Sequence, residues 1–327
     1  MTSPGPVVDV KRPLVFLAVA AILSLGGFVL PSLHGNGSAA ASGEQAATKP
    51  RPPSKPDCGT VRESLRPVGP LPSPQALPSG STMARIKARG RLIAGVDQGK
   101  YLLGYRNPQT GQLEGSDIDL VHMIAAAIFG DPNRVQFVVR DIADRVSLIE
   151  QGQVDIVVNS FTVTCLRQKS VEFSTPYTTV HQRLLVPAAS GVNEVEQLAG
   201  QRVCTSIGAT NEAVLRRLPL HLQVVTLPGI PDCVVALQQG KVAAVSSDDA
   251  ILAGMAAQDP QTKVVGRALA ETRYAIGMSP KHVDLVRFVN GLLERGRADG
   301  SLAASAHKWL GEQLHPVPAV PPAKYRD

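Results

Sequence analysis

Residues 153–177, QVDIVVNSFTVTCLRQKSVEFSTPY, decide how the rest of the chain is read. Asp155-Ile156-Val157-Val158 is a short β-branched run, the pattern of a buried strand. Asn159 to Thr164 then alternates small hydroxyl and apolar side chains and stops at Cys165. Leu166-Arg167-Gln168-Lys169 reads as a basic turn, and Val171-Glu172-Phe173-Ser174 resumes an extended pattern. Hydroxyls at Ser160 and Thr162, free backbone N–H groups at a strand end and Arg167 shortly after suit a carboxylate ligand. A guanidinium fork meets both carboxylate oxygens in one plane, and the other donors fill the remaining lone pairs. Taken alone, Arg167 reads better as a solvated surface arginine.

The string around it favours the ligand reading. Val154, Asp155, Ser160, Thr162, Thr164, Arg167, Lys169, Val171, Phe173, Ser174, Pro176 and Tyr177 fit one motif. It resembles the signature of extracellular solute-binding proteins for polar amino acids, the receptors of ABC importers. The resemblance runs from about Arg89 to Leu310 and is nearest to the actinobacterial glutamine/glutamate-binding branch. It implies an α/β, two-lobed periplasmic-binding-protein fold (type II), each lobe a mixed sheet flanked by helices. On this reading lobe 1 is 83–183, lobe 2 is 184–273, the return to lobe 1 is 274–315 and a tail is 316–327.

The 327 residues leave room for about two domains plus extras. The composition, 44% hydrophobic and 18% charged, supplies a core. The net charge of +6 is diffuse, with no Lys/Arg cluster and only 4% aromatics, so no nucleic-acid partner is expected. Four cysteines without a C-x-x-C pair argue against a structural zinc site. Lys11-Arg12 precede the apolar run 14–30, so 1–33 reads as a signal peptide or membrane anchor that puts the remainder outside the cytoplasm. Gram-positive relatives are usually lipoproteins. No cysteine follows this run until Cys58, which supports the anchor. Residues 34–82, rich in Pro, Ser and Gly, read as a tether unable to order itself. Cys58 is the exception, a point that a disulfide pins to the folded body.

The resemblance assigns further site residues. Asp97 ends the strand Arg91 to Val96, where an acid accepts the ligand ammonium; a turn cap is the alternative. Arg145 matches the arginine that meets a distal carboxylate in acidic-amino-acid receptors, against pairing with Asp141 or Asp144 at the surface. Asp117, in a G-S-D-I-D-L version of G-F-D-V-D-L, is read as a structural helix cap. The glycine turn Gly208-Ala209-Thr210 opens a helix, and its free N–H groups suit the α-carboxylate. Ala209 lacks the hydroxyl usual in relatives, leaving its backbone and Thr210. Asp248 matches the acid that clamps the ammonium, although Ala243 replaces a structural aspartate upstream. Trp309, in the K-W-L ending, is read as core packing.

Cys204 and Cys233 fall in adjacent elements of the second lobe and are paired on that ground, which leaves Cys58 with Cys165; other pairings stay open. The implied protein is a monomeric receptor for glutamate, aspartate or their amides, working with an ABC permease. The alternative is a sensor subunit that signals to a membrane receptor. No H-x-H, G-x-S-x-G or paired glutamates suggest an enzyme, and no cofactor or metal is expected.

Overall fold

A computed structural model describes residues 58–327; the expected membrane segment and the linker up to residue 57 lie outside the described residues. Helix α1 (Thr82–Arg89) leads into β1 (Leu92–Val96) and the small meander β2 (Gly99–Lys100), β3 (Gly104–Arg106) and β4 (Leu113–Glu114). α2 (Ser116–Phe129), β5 (Val135–Val139), α3 (Arg145–Glu150), β6 (Ile156–Val157) and β7 (Glu172–Phe173) follow. The second lobe holds β8 (Thr178–Pro187), β9 (Arg202–Ser206), α4 (Asn211–Arg217), β10 (Gln223–Leu227), α5 (Ile230–Gln238), β11 (Ala244–Asp248), α6 (Asp249–Gln258) and β12 (Thr262–Tyr274). β13 (Gly277–Met278), α7 (Val283–Ala298) and α8 (Ser301–Leu310) return to the first lobe.

The two lobes repeat one sheet plan. In the first, the order is β5-β1-β6-β13-β7, with β5, β1 and β6 parallel and β13 antiparallel to its neighbours. In the second, the order is β10-β9-β11-β8-β12, with β10, β9 and β11 parallel and β8 antiparallel. In open α/β sheets, ligands bind beyond the carboxyl ends of such parallel strands. The parallel strands are apolar because helices cover them. On α2, Ile118, Val121, Ile124, Ala125 and Ile128 recur at helical spacing and are all buried. α1 is capped by Ser81, whose hydroxyl accepts from the Ala84 N–H at 3.1 Å.

Two long strands join the lobes. β8 pairs with β12 from Thr178 opposite Tyr274 to Pro187 opposite Thr262, so the second sheet begins at Thr178, earlier than the expected boundary at Leu184. Tyr177 and Tyr274 sit at the two crossings, and the Tyr177 N–H donates to the Tyr274 carbonyl at 2.9 Å.

The tether reading fails for its described part. Residues 58–81 lie along the first lobe. Ser64 Oγ donates to the Phe173 carbonyl at 2.6 Å, and Asn290 Nδ2 donates to Ser64 Oγ and the Leu65 carbonyl at 2.8 and 2.6 Å. The C-terminal residues join them: Ser64 bridges Tyr325, and Arg326 meets both Glu172 oxygens at 2.9 Å. Low apolar content argues against self-ordering, but this segment is ordered by hydrogen bonds, by Leu65, Leu71 and Leu77 packing on the core, and by the Cys58–Cys165 disulfide. The second disulfide joins Cys204 and Cys233. Among the described residues no helix is long and apolar enough to cross a membrane.

Candidate functional site

A cavity lies where the carboxyl ends of both sets of parallel strands converge. The first lobe contributes Lys100 after β1, Ile142 and Arg145 after β5, and Ser160 and Thr162 after β6. The second contributes Ser206, Ala209, Thr210 and Asn211 from β9 and its turn, Ile230 after β10, and Ser247, Asp248 and Ile251 from β11 and α6. Six of the expected site residues thus share one cavity: Arg145, Ser160, Thr162, Ala209, Thr210 and Asp248. Asp97 lines an adjoining cavity instead, and Arg167 stands beside the shared one.

The β6 strand ends in a backbone turn that presents its polar groups. Ser160 has φ +43°, an uncommon left-handed conformation for a residue with a side chain and one that clusters at functional sites. The turn is held from three sides. The Ser160 N–H donates to Asp117 at 2.8 Å, Lys100 Nζ donates to its hydroxyl at 3.2 Å, and Arg145 Nη1 donates to its carbonyl at 3.0 Å. Asp117 is therefore not the helix cap expected from the motif. Fully buried in the first turn of α2, it joins Ser160 to the Tyr177 hydroxyl, which donates to it at 2.7 Å. Burial raises the Asp117 carboxyl and the Tyr177 hydroxyl above their usual ranges.

Three cations stand on the first-lobe side. Arg145, 3% exposed, donates through Nε to the Ile142 carbonyl at 2.7 Å and through Nη1 to the Asn159 and Ser160 carbonyls at 3.0 Å. It has no pairing with Asp141 or Asp144, so the surface reading is out. Its Cζ lies 4.6 Å from the centre of the Phe161 ring, and that of Arg167 lies 5.1 Å from the same centre. Lys100, 4% exposed, donates to Asn159 Oδ1 at 2.6 Å and pairs with Asp97 at 3.2 Å. Asp97 also accepts from the Gly99 N–H at 2.8 Å, the bond of the turn-capping alternative.

Burial lowers all three cations: Lys100 despite Asp97, Arg145 well below its usual value with Arg167 repelling it further, and Arg167 to about 10. Guanidinium groups keep their proton in proteins, so Arg145 and Arg167 are charged groups held where burial disfavours their charge.

The second-lobe side carries the opposite charge. Asp248, 3% exposed, accepts from Asn211 Nδ2 at 3.0 Å and from the Tyr274 hydroxyl. Burial raises its carboxyl, against the pull of those two bonds. Asp249 faces away and pairs with His181 at 3.4 Å.

The lobes touch across the cavity. Arg167 Nη1 donates to the Thr162 carbonyl at 2.6 Å in its own lobe, and Nη2 donates to the Gly208 carbonyl at 2.9 Å in the other. Gly208 has φ +77°, and a Cβ there would lie 3.0 Å from Ala143 Cα in the first lobe. A Cβ at Gly254 on α6 would lie 2.3 Å from the Tyr101 carbonyl oxygen. Glycine permits both approaches.

The two lobes have matching sheets, are joined by two crossings and enclose a polar cavity, and sequence comparison decides the family. The model of the bacterial extracellular solute-binding proteins, family 3, matches residues 92–312. The chain belongs to that family. A glutamine-binding protein of Geobacillus stearothermophilus is 34% identical over 198 residues, covering 60% of this chain and 76% of the relative. The glutamate-binding protein GluB of Corynebacterium efficiens is 29% identical over 240 residues, covering 70% and 81%. The solved cysteine-binding protein of Campylobacter jejuni superposes with a TM-score of 0.68 at 26% identity, covering 72% of this chain and 95% of that one. The fold of this family 3 member is the two-lobed type II arrangement expected.

Lys100, Asn211 and Tyr274 escaped the sequence reading. Lys100 stands in a two-residue strand, too short for any periodicity, and its one signal is its place three residues after Asp97. Asn211 was visible as the residue opening α4, but its bond to Asp248 spans 37 positions. Tyr274 read only as the start of the returning strand.

Proposed function

We propose that this family 3 protein is an extracytoplasmic receptor that closes on one free polar amino acid, glutamate or aspartate or one of their amides. The delivery partner is an ABC importer. The single observation that carries the reading is the cavity itself, cationic on its first-lobe side and holding Asp248 on the other. An α-amino acid is a zwitterion, and a site with separated charges of both signs holds it in one orientation. The α-carboxylate goes to Arg167, with Thr162 and the Ala209/Thr210 turn adding donors. The ammonium goes to Asp248, with Asp97 or the Ser160 turn as secondary acceptors. The side chain extends toward Arg145, whose Nη2 is left over from its three carbonyl bonds, and toward Lys100. Arg145, a buried cation without an acidic partner, favours a ligand with a second carboxylate or a polar amide. The names of the glutamine- and glutamate-binding relatives support the same ligand class. Attachment to the membrane through residues 14–30, and action as a monomer, complete the proposal.

A thermal-shift screen of the protein against the twenty amino acids tests it. A ligand at a hundred times its Kd stabilises the folded state by about 2.7 kcal/mol. A shift confined to glutamate, aspartate, glutamine and asparagine is expected. A shift with none of these would remove the ligand class.

A further inference from the structure

Past Val163, which packs on the first-lobe core, the loop that carries Arg167 has few contacts with its own lobe beyond Phe161 and Thr162. Between Thr162 and Val171 the only buried side chain is Gln168, while Leu166 is 58% exposed. The partner that buries Gln168 comes from far away in sequence. The Arg62 N–H donates to Gln168 Oε1 at 2.8 Å, Arg62 Nη2 donates to the Gln168 carbonyl at 2.6 Å, and Gln168 Nε2 donates to the Arg62 carbonyl at 2.7 Å. Three residues earlier, Cys165 is bonded to Cys58. The same segment is fixed to the body of the lobe by Ser64, through Phe173 and Asn290. Residues 58–64 therefore run from an anchored point on the lobe to both flanks of Arg167.

We propose that residues 58–64 act as a strap that positions Arg167 for the ligand carboxylate, through Cys165 on one side and Gln168 on the other. The strap touches no atom of the cavity: neither Cys58 nor Arg62 lines it. Its effect passes through the loop. Within that loop, Arg167 Nη1 bonds the Thr162 carbonyl and its N–H bonds Thr164 Oγ1 at 3.2 Å, so the turn closes on itself and moves as one piece. Holding positions 165 and 168 fixes the orientation of the piece between them. Orienting a charged group before the ligand arrives lowers the ordering that binding must supply. The inference rests on the amino-acid-receptor reading only for its affinity arm; the loop's order is measurable without any ligand.

The test uses the full-length protein with two strap-releasing variants, the double Cys58→Ser/Cys165→Ser and the single Gln168→Ala. Trp309→Phe serves as a control that disturbs the first lobe away from the strap, at the Trp309–Asp119 hydrogen bond. Two quantities are read below the unfolding range: amide hydrogen exchange at 162–169, and the Kd for L-glutamate and L-glutamine by calorimetry. The strap predicts faster exchange confined to 162–169 in both releasing variants and a Kd raised roughly tenfold, with Trp309→Phe changing neither. Unchanged exchange at 162–169 would overturn the strap whether or not any ligand binds. Faster exchange with an unchanged Kd, or an equal loss of affinity in Trp309→Phe, would reduce it to general stabilisation and overturn the positioning role. Local exchange that responds to the strap while the parent protein binds neither amino acid would leave the strap as a loop anchor and strike out the proposed ligand.

Discussion

The first-lobe side of the cavity carries Lys100, Arg145 and the neighbouring Arg167, whereas the second-lobe side carries Asp248 among short polar side chains. The two sides are also held differently. Both guanidiniums are fixed mainly by backbone carbonyls: Ile142, Asn159 and Ser160 for Arg145, and Thr162 and Gly208 for Arg167. Asp248 is fixed by two side chains, Asn211 and Tyr274, and Tyr274 stands at a crossing between the lobes. Arg145, set by the backbone of its own lobe, is preformed, whereas Arg167 also bonds the Gly208 carbonyl of the other lobe. An acid oriented from the junction is sensitive to how the lobes meet.

Removing the cation that spans the cleft should do the most damage. Arg167→Ala is expected to weaken amino-acid binding by about 2–5 kcal/mol, the range for truncating one partner of a buried charged contact, with the fold retained. Calorimetry beside circular dichroism checks it, and retained affinity would make the first-lobe wall irrelevant to the carboxylate.

Next comes the acid on the other wall. Asp248→Asn should weaken binding by about 1.5–3 kcal/mol, the value of a hydrogen bond to a charged group. Acid should mimic the substitution. Burial raises the Asp248 carboxyl above 3.8, so affinity falls as pH drops through that raised value and the ammonium loses its charged partner. The unliganded fold responds in the opposite sense. A carboxyl that binds its proton more tightly folded than unfolded makes the fold gain stability as pH falls through the same window. Across that range calorimetric affinity should therefore fall as pH drops while the ligand-free stability of the parent rises relative to Asp248→Asn.

Smaller effects sort the side-chain end of the cavity. Arg145→Ala should weaken glutamate and aspartate roughly tenfold more than their amides. Equal losses for acids and amides would assign Arg145 to shaping the Ser160 turn, where its three carbonyl bonds already place it. Tyr274→Phe removes one donor from Asp248 and should weaken binding by about 1 kcal/mol, a single hydrogen bond's worth. Competition titrations against the parent protein resolve both.

Much of this site was legible in the sequence, and for identifiable reasons. Arg167, Thr162 and Ser160 stand inside a dense local string, and Asp248 ends the short strand Ala244–Asp248; local patterns of that kind survive without a structure. What escaped depends on long-range contacts. Asp117 looked like a helix cap because G-S-D opens a helix, yet its oxygens serve Ser160 and Tyr177, 43 and 60 positions away. Lys100 belongs to a strand of two residues. The strap is the largest miss. A Pro- and Ser-rich stretch without apolar periodicity has the composition of a free linker, and nothing local records that Arg62 pairs with Gln168 across 106 positions.

The proposed ligand lies across the cleft with its ammonium on the second-lobe acid, Asp248. The direct measurement is a calorimetric comparison of L-glutamate with glutarate, which lacks the ammonium, on the parent protein and on Asp248→Asn. Glutarate should bind the parent at least about tenfold more weakly than glutamate, and the gap should close in Asp248→Asn. A gap of the same size in both proteins would contradict the account, because the ammonium would then be held by something other than Asp248.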